Sequence, residues 1–427
     1  MYIKIKLILI LFSFVLMFAD CHQRQGEITT AHKKQLISLK NEIKENLTTN
    51  LLPYWATKMI DTVNGGFYGR VDAKEQVHPD AVKGGILNAR LLWTFSSAFR
   101  VLGDSSYLEL ANRARDYIMT FFIDKEYGGG YGTVKANGEP GDTRKGTLTQ
   151  SYFIYAFAEY YRITGDRAVL DEAVRIFDLL EQHALDKDYN GYFEVYTRDW
   201  QRSHDRLLNE KSEKDEKTMI THLHILEAYA GLYRVWPDKR MEEKLRNILD
   251  VFSTKVVDQK TWHTIYFLDR QWNPTSQIDS YGHDIEGSWL MVEAARLLKD
   301  TELIEEVELL SLKVADAAAE GLQPDGSLLT ELDRSTGHKV VVRSWWEQAE
   351  TIVGYLNAFE ISYKKEYLEK VLNGWEYTKK YFIDYKNGGW YSLVNDNGEP
   401  AGRDKANYWT CPYHNGRMCM EVIERID

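Results

Sequence analysis

Apolar residues recur at helical spacing along most of the chain, in paired segments separated by six short stretches rich in glycine and aromatic residues. These stretches read Asn64-Gly65-Gly66-Phe67-Tyr68-Gly69, Gly128-Gly129-Gly130-Tyr131-Gly132, Asn190-Gly191-Tyr192-Phe193, His263-Thr264-Ile265-Tyr266, Asp325-Gly326-Ser327-Leu328-Leu329 and Asn387-Gly388-Gly389-Trp390-Tyr391. Glycine and asparagine flanked by aromatics signal a hairpin. With Tyr68, Tyr131, Phe193, Tyr266, Leu329 and Tyr391 as anchors, the spacings are 63, 62, 73, 63 and 62 residues. Such constancy marks an internal repeat. The one long interval holds a charged insertion running from Arg202 to Lys217, which reads as a solvated loop.

Between the hairpins the periodicity predicts helix pairs over 85–102 and 106–122, 147–163 and 167–183, 217–235 and 240–257, 283–298 and 301–319, and 345–359 and 365–382. A last helix starts near Pro412. An opening one over 31–47 carries Leu36, Leu39, Ile43 and Leu47 at roughly helical spacing. Gly103-Asp104 and Gly165-Asp166 stand where one helix should stop and the next begin. A hairpin with a helix pair cannot bury its apolar faces alone, so the repeats must stack. Twelve helices in six pairs predict an all-α fold, an (α/α)6 barrel of six helix-pair repeats with short hairpins on one rim. The first helix then serves as outer partner of the last inner one. An open solenoid would need polar end units, and none is visible.

Composition narrows the function. The 427 residues are 44% hydrophobic and 27% charged, ordinary for a globular chain. A net charge of −11 without a basic stripe argues against nucleic acid and suits a neutral small molecule. Twelve Trp and 27 Tyr fit packed helix interfaces and also sugar stacking. The three cysteines, Cys21, Cys411 and Cys419, form no disulfide framework. Lys4 and Lys6 precede an apolar run from Leu7 to Ala19, 13 residues against the ~20 of a membrane span. Residues 1–25 therefore read as an export signal, with Cys21 a candidate lipid anchor, although Asp20 departs from the small residue usual before such a cysteine. The expectation is one catalytic domain over 26–427, monomeric and exported, either periplasmic or anchored as a lipoprotein of a Gram-negative bacterium.

Candidate chemistry lies just after each anchor, near the start of each inner helix. The repeats supply in turn Arg90; Gln150, Tyr152 and Tyr155; His222 and His224; His283 and Glu286; Trp345, Trp346, Glu347 and Gln348; and Trp409, Tyr413 and His414. A purely structural barrel would carry aliphatic residues there. Four of the eleven histidines fall in this layer; His32, His78, His183, His204 and His338 lie off it and read as structural. His283 and Glu286 share a helix face, so the carboxylate is expected to orient the imidazole. His222 and His224 point to different faces, so one looks inward and the other supports it. Of Trp345 and Trp346, one should face inward and stack on a sugar ring, with Trp409 a platform for the same ligand. Arg90, on an apolar stretch, needs an anionic partner or a substrate oxygen. Neither the two histidines nor Cys411-Pro412-Tyr413-His414 shows a zinc spacing, so no metal is expected.

Four motifs carry a resemblance. They are Tyr281-Gly282-His283-Asp284-Ile285-Glu286; Thr221-His222-Leu223-His224 with Leu226-Glu227-Ala228-Tyr229; Trp345-Trp346-Glu347-Gln348-Ala349-Glu350; and Trp409-Thr410-Cys411-Pro412-Tyr413-His414-Asn415-Gly416-Arg417. In this order they resemble the motifs of cellobiose 2-epimerases, of the N-acylglucosamine 2-epimerase superfamily. The resemblance spans essentially everything after the export signal and implies an (α/α)6 barrel. It implies His283 and His414 as paired acid/base catalysts, assisted by His224, Glu286 and Arg90, with Trp346 and Trp409 holding the sugar. Tyr152, Trp345, Gln348 and His222 complete the expected substrate-binding set. The family commonly carries Asn where this chain has Ile220, which removes a hydrogen bond to the sugar. The expected substrate is a β-1,4-linked disaccharide, cellobiose or mannobiose, and the scheme requires no cofactor. Alternatives are an aldose–ketose isomerase or N-acylglucosamine 2-epimerase in the same fold, a glycoside hydrolase, and a non-catalytic glycan-binding lipoprotein.

Overall fold

The computed structural model describes residues 28–203 and 215–426. The expectations for residues 1–25, Cys21 included, and for most of the charged insertion fall outside these.

Six helices form an inner ring: Gly85–Leu102, Thr147–Thr164, Met219–Val235, Tyr281–Leu298, Trp345–Ser362 and Tyr413–Arg425. The outer ring comprises Thr30–Asn46, Ser105–Tyr117, Arg167–Leu179, Lys239–Val251, Thr301–Ala318 and Lys365–Tyr381. The opening helix packs on the last inner helix, which in turn packs on the first inner helix, so the circle closes. This is the (α/α)6 barrel that the repeat predicts. Gly103 and Gly165 end the first two inner helices in the left-handed conformation, with φ of 73° and 69°, where a Cβ would be strained. Asp104 and Asp166 then cap the outer helices through their carboxylates.

Four outer helices differ from their predicted ends. They finish in π turns, at Leu47–Leu51, Ile118–Phe122, Leu180–Ala184 and Phe252–Val256. In the last three, the first extended residue still donates to the start of the turn, as Ile123 N–H does to Ile118 O at 3.2 Å. The wide turn thus swings the chain into the hairpin while keeping that donor satisfied.

All six hairpins form, each marked by a bridge such as Ile60 with Phe67, Ile123 with Gly130 and Ile383 with Trp390. A short strand before each inner helix then pairs with the next repeat: Lys83 faces Val134, Lys145 faces Tyr196, Lys217 faces Leu268, Asp279 faces Leu332, and Arg343 faces Val394. Val71 pairs with Ala406 and joins the sixth repeat to the first. Buried ion pairs fix this rim: Lys83 to Asp61 at 2.8 Å, Lys145 to Asp124 at 3.0 Å, Lys217 to Asp186 at 3.1 Å and Lys405 to Asp384 at 2.8 Å. The fourth repeat departs from this pattern. Asp279 holds the lysine's register and pairs with Arg334 at 3.2 Å, while His263 Nδ1 lies 2.7 Å from Asp284.

The inner helices share one register, which stacks their inward side chains in rings. Arg90, Tyr152, His224, Glu286, Glu350 and His414 are successively 62, 72, 62, 64 and 64 residues apart. The same increments relate Leu87, Thr149, Thr221, His283, Glu347 and Cys411 one helical turn nearer the rim. They also relate Trp93, Tyr155, Glu227, Trp289, Val353 and Arg417 one turn deeper.

Candidate active site

The two upper rings open into a cleft of ≈ 560 Å³, walled by Arg90, His224, His283, Glu286, His414 and the three tryptophans 345, 346 and 409, with a side chamber of ≈ 240 Å³ beyond Leu148 and Ile220. Val340 and Val342 also line it, next to a rim extension of the fifth repeat whose two strands join the strand before the fourth inner helix in the only three-stranded sheet among the described residues.

The indole of Trp346 packs against two imidazoles, its centroid 4.7 Å from that of His283 and 5.5 Å from that of His414. His283 hydrogen-bonds Ser280 Oγ through Nδ1 at 2.7 Å, and burial together with neighbouring His224 pushes its pKa down to about 3. His414 Nδ1 meets Glu350 at 2.7 Å. Burial, reinforced by the Arg90 and Arg417 guanidiniums, nevertheless holds it well below the usual imidazole range. Burial thus disfavours the charged form of both rings, the condition a proton acceptor needs.

Beneath them Arg417, wholly buried, gathers three carboxylates. Its Nη1 donates to Glu227, and its Nη2 to Glu286 and to Glu350, the last at 2.7 Å. Burial raises all three carboxyl groups, and mutual repulsion lifts Glu286 well above the usual carboxylate range. Glu227 is the exception: against the push of burial, Arg417 and His224 bring it to about 2. His224 Nδ1 lies 3.0 Å from Glu227 and 3.2 Å from the Tyr152 hydroxyl. Two groups, His224 with Glu227 and Glu286, and Glu286 with Glu350 and His414, bring donor atoms within 4.8 Å in the manner of a metal site. The Arg417 guanidinium already supplies the cation there.

Arg90 meets this network through Tyr152 rather than through a carboxylate. It donates to the Trp409 carbonyl at 3.2 Å and to the Tyr152 hydroxyl, and it packs on the rings of Tyr152 and Tyr413 at 4.3 and 5.0 Å. No carboxylate pairs with it among the described residues, and its Nε has no partner. A buried cation without a counterion suits an anionic ligand atom.

Several expectations need correction. His222 does not line the cleft. Its ring lies 2.7 Å from the Thr218 carbonyl and accepts the Tyr192 N–H at 3.0 Å. Gln348 likewise clasps both polar groups of Leu328. Both occupy the register that Gln150 and Asp284 use to hold the Gly130 and Thr264 backbones, so all four anchor hairpins. Tyr152 lies under the cleft wall, where it supports Arg90 and His224. Glu286 does not orient His283, because it lies one helical turn deeper, where it accepts from Arg417; its Oε1 is 3.7 Å from His414 instead. Trp345 and Trp346 both wall the cleft, rather than one of them. Glu227, Glu350 and Arg417 lie within the quoted motifs, but their pairing, like the contact of Ser280 with His283, comes from the structure. The repeat increments alone align Glu350 with Glu286, and Arg417 with Glu227.

A family profile, N-acylglucosamine 2-epimerase, matches residues 66–415. The cellobiose 2-epimerase of Bacteroides fragilis is 46% identical over 386 residues, covering 90% of this chain and 98% of that one. That of Ruminococcus albus is 38% identical over 387 residues, with 90% and 98% covered. The solved cellobiose 2-epimerase of Bacillus thermoamylovorans superposes with a TM-score of 0.88 at 38% identity, over 91% of this chain and 99% of that one. With the matched profile spanning most of the chain and the barrel shared throughout, this protein belongs to the N-acylglucosamine 2-epimerase family.

Proposed function

We propose that this protein inverts C2 of the reducing-end residue of a β-1,4-linked disaccharide, with cellobiose the first candidate and mannobiose the second. The observation that carries the reading is the pair of imidazoles, His283 and His414, that line one cleft and both pack against Trp346. Inversion at C2 requires an open-chain aldehyde at C1. The C2 hydrogen is then α to a carbonyl and can be removed to give an enediolate. One imidazole takes that proton and the other returns one to the opposite face. Arg90, short of a counterion, faces the oxygen on which negative charge develops. Glu350 holds His414 and Ser280 holds His283, while Arg417 ties Glu350 to the barrel floor. Trp346 and Trp409 offer indole surfaces to the sugar rings.

Hydrolysis is a poorer fit. It needs two carboxyl groups across the scissile bond; Glu286 and Glu347 line the cleft, but Arg417 holds Glu286, and a carboxyl pair leaves the two imidazoles without a role. We further propose export through residues 1–25, with lipidation of Cys21 and a monomeric mature chain. The test of the central reading is NMR of cellobiose, mannobiose, N-acetylglucosamine and mannose with the enzyme in D2O. Epimerisation labels C2 of the disaccharides without accumulating ketose. Accumulation of ketose would establish the isomerase instead, and release of monosaccharides the hydrolase.

A further inference from the structure

We propose that Glu347 is the acid that opens the pyranose ring, giving its proton to the ring oxygen and recovering it on closure, so that the protein also exchanges anomers. The inference rests on the C2-epimerase reading and assigns a step which that reading leaves without a residue.

Glu347 is fully buried yet contributes to the cleft wall. It shares the register of His283, on the helix between those bearing His283 and His414. Its Oε2 accepts the Ser344 N–H at 3.1 Å and lies 3.1 Å from the Thr330 hydroxyl, which is also 2.9 Å from the Val342 carbonyl. Its Oε1 is buried and has no partner. Burial raises its pKa to about 8; nearby Glu331 pushes the same way and Arg343 opposes. A carboxyl that accepts a backbone N–H on one oxygen carries its proton on the other. That proton points from an oxygen with nothing to receive it in the free protein, a costly arrangement unless a ligand completes it.

The chemistry calls for such a group. The two imidazoles handle the protons of C2 and O1, and Glu286, Glu350 and Glu227 are tied to Arg417. Ring opening breaks the C1–O5 bond, with its electron pair leaving on O5, which takes the Oε1 proton of Glu347. The O1 proton passes to the imidazole that later protonates C2, and C1 becomes a carbonyl. The other imidazole then removes the C2 proton, and the first returns its own to the opposite face. On closure O5 attacks C1 and gives its proton back to Glu347, while O1 takes the proton held by the second imidazole. All three groups end as they began.

The test is E347Q. Glutamine keeps an oxygen for Ser344 and Thr330 but carries no acidic proton. Anomer exchange of cellobiose is read by saturation-transfer NMR, beside C2 deuterium uptake, with a thermal melt to check folding. Wild type is expected to exchange anomers well above the buffer rate. E347Q is expected to lose about 100-fold in anomer exchange and in epimerisation alike, with KM little changed. E347D, acidic on a shorter arm, should recover part of that loss, which a helix-capping role would not predict. Anomer exchange at the buffer rate in wild type, or within threefold of wild type in E347Q, overturns the proposal. So does an E347D no better than E347Q when both melt with wild type. If E347Q unfolds, E347D against wild type decides by the same measure. A wild type that exchanges anomers but never inverts C2 would defeat the epimerase reading and leave this inference standing.

Discussion

Replacing Arg417 with methionine keeps most of the side chain's length and removes the cation on which Glu227, Glu286 and Glu350 converge. Glu227 bears most of the consequence. It is held at about 2 against an ordinary value of 4.5, a difference worth roughly 3 kcal/mol. The general cost of breaking a buried ion pair, about 3–5 kcal/mol, agrees. The sign follows from linkage. A carboxyl with a lowered folded-state pKa contributes stability that is present above its unfolded value and lost as pH falls through the folded one. R417M should therefore lie about 3 kcal/mol below wild type at pH 7, and the gap should narrow as pH drops below about 4.5 toward 2. Urea unfolding of both proteins at pH 7 and at pH 3.5 measures this directly. A deficit under about 1 kcal/mol at pH 7, or one equal at both pH values, would show that Arg417 is not neutralising a buried carboxylate.

Three further outcomes follow. H283N and H414N should each lower kcat for C2 inversion by at least about 100-fold with melting temperature retained; NMR of C2 deuterium uptake and circular dichroism check this, and full activity in either would remove that imidazole from the mechanism. I220N places an amide at the junction of the cleft and its side chamber; one new hydrogen bond worth about 1 kcal/mol should raise kcat/KM for cellobiose roughly fivefold, and an unchanged ratio would mean that this wall does not touch the substrate. His263 is raised to about 9 by Asp284, Asp279 and Glu320 against the opposing effect of burial, so its stabilising contribution is complete below about pH 6.5 and lost as pH rises through 9; H263Q should flatten that part of the melting profile, and parallel profiles would refute it.

The four motifs and the repeat spacing led to the cleft residues, but the division of labour among them was not legible. His222 and His224 are two residues apart in sequence, and only the packing shows that the first clasps Tyr192 while the second faces the cleft. Gln348 looked like a sugar ligand because polar groups near a rim usually meet solvent or substrate; here the Leu328 backbone uses both ends of it. Glu286 was paired with His283 from i,i+3 proximity, which gives a shared face but not a shared depth.

What the sequence determined by itself is the repeat, and with it the number of helix pairs, the closed ring, and the level at which polar groups gather. Periodicity is local, and a constant increment carries one register through every repeat. Only the tertiary structure decided that His414 meets Glu350 across 64 residues, that Arg417 binds Glu227 across 190, and that one oxygen of Glu347 is left without a partner. Such pairings depend on helix rotation and depth around a closed circle, and hydrophobic patterning fixes those angles only through the packing of all six repeats together.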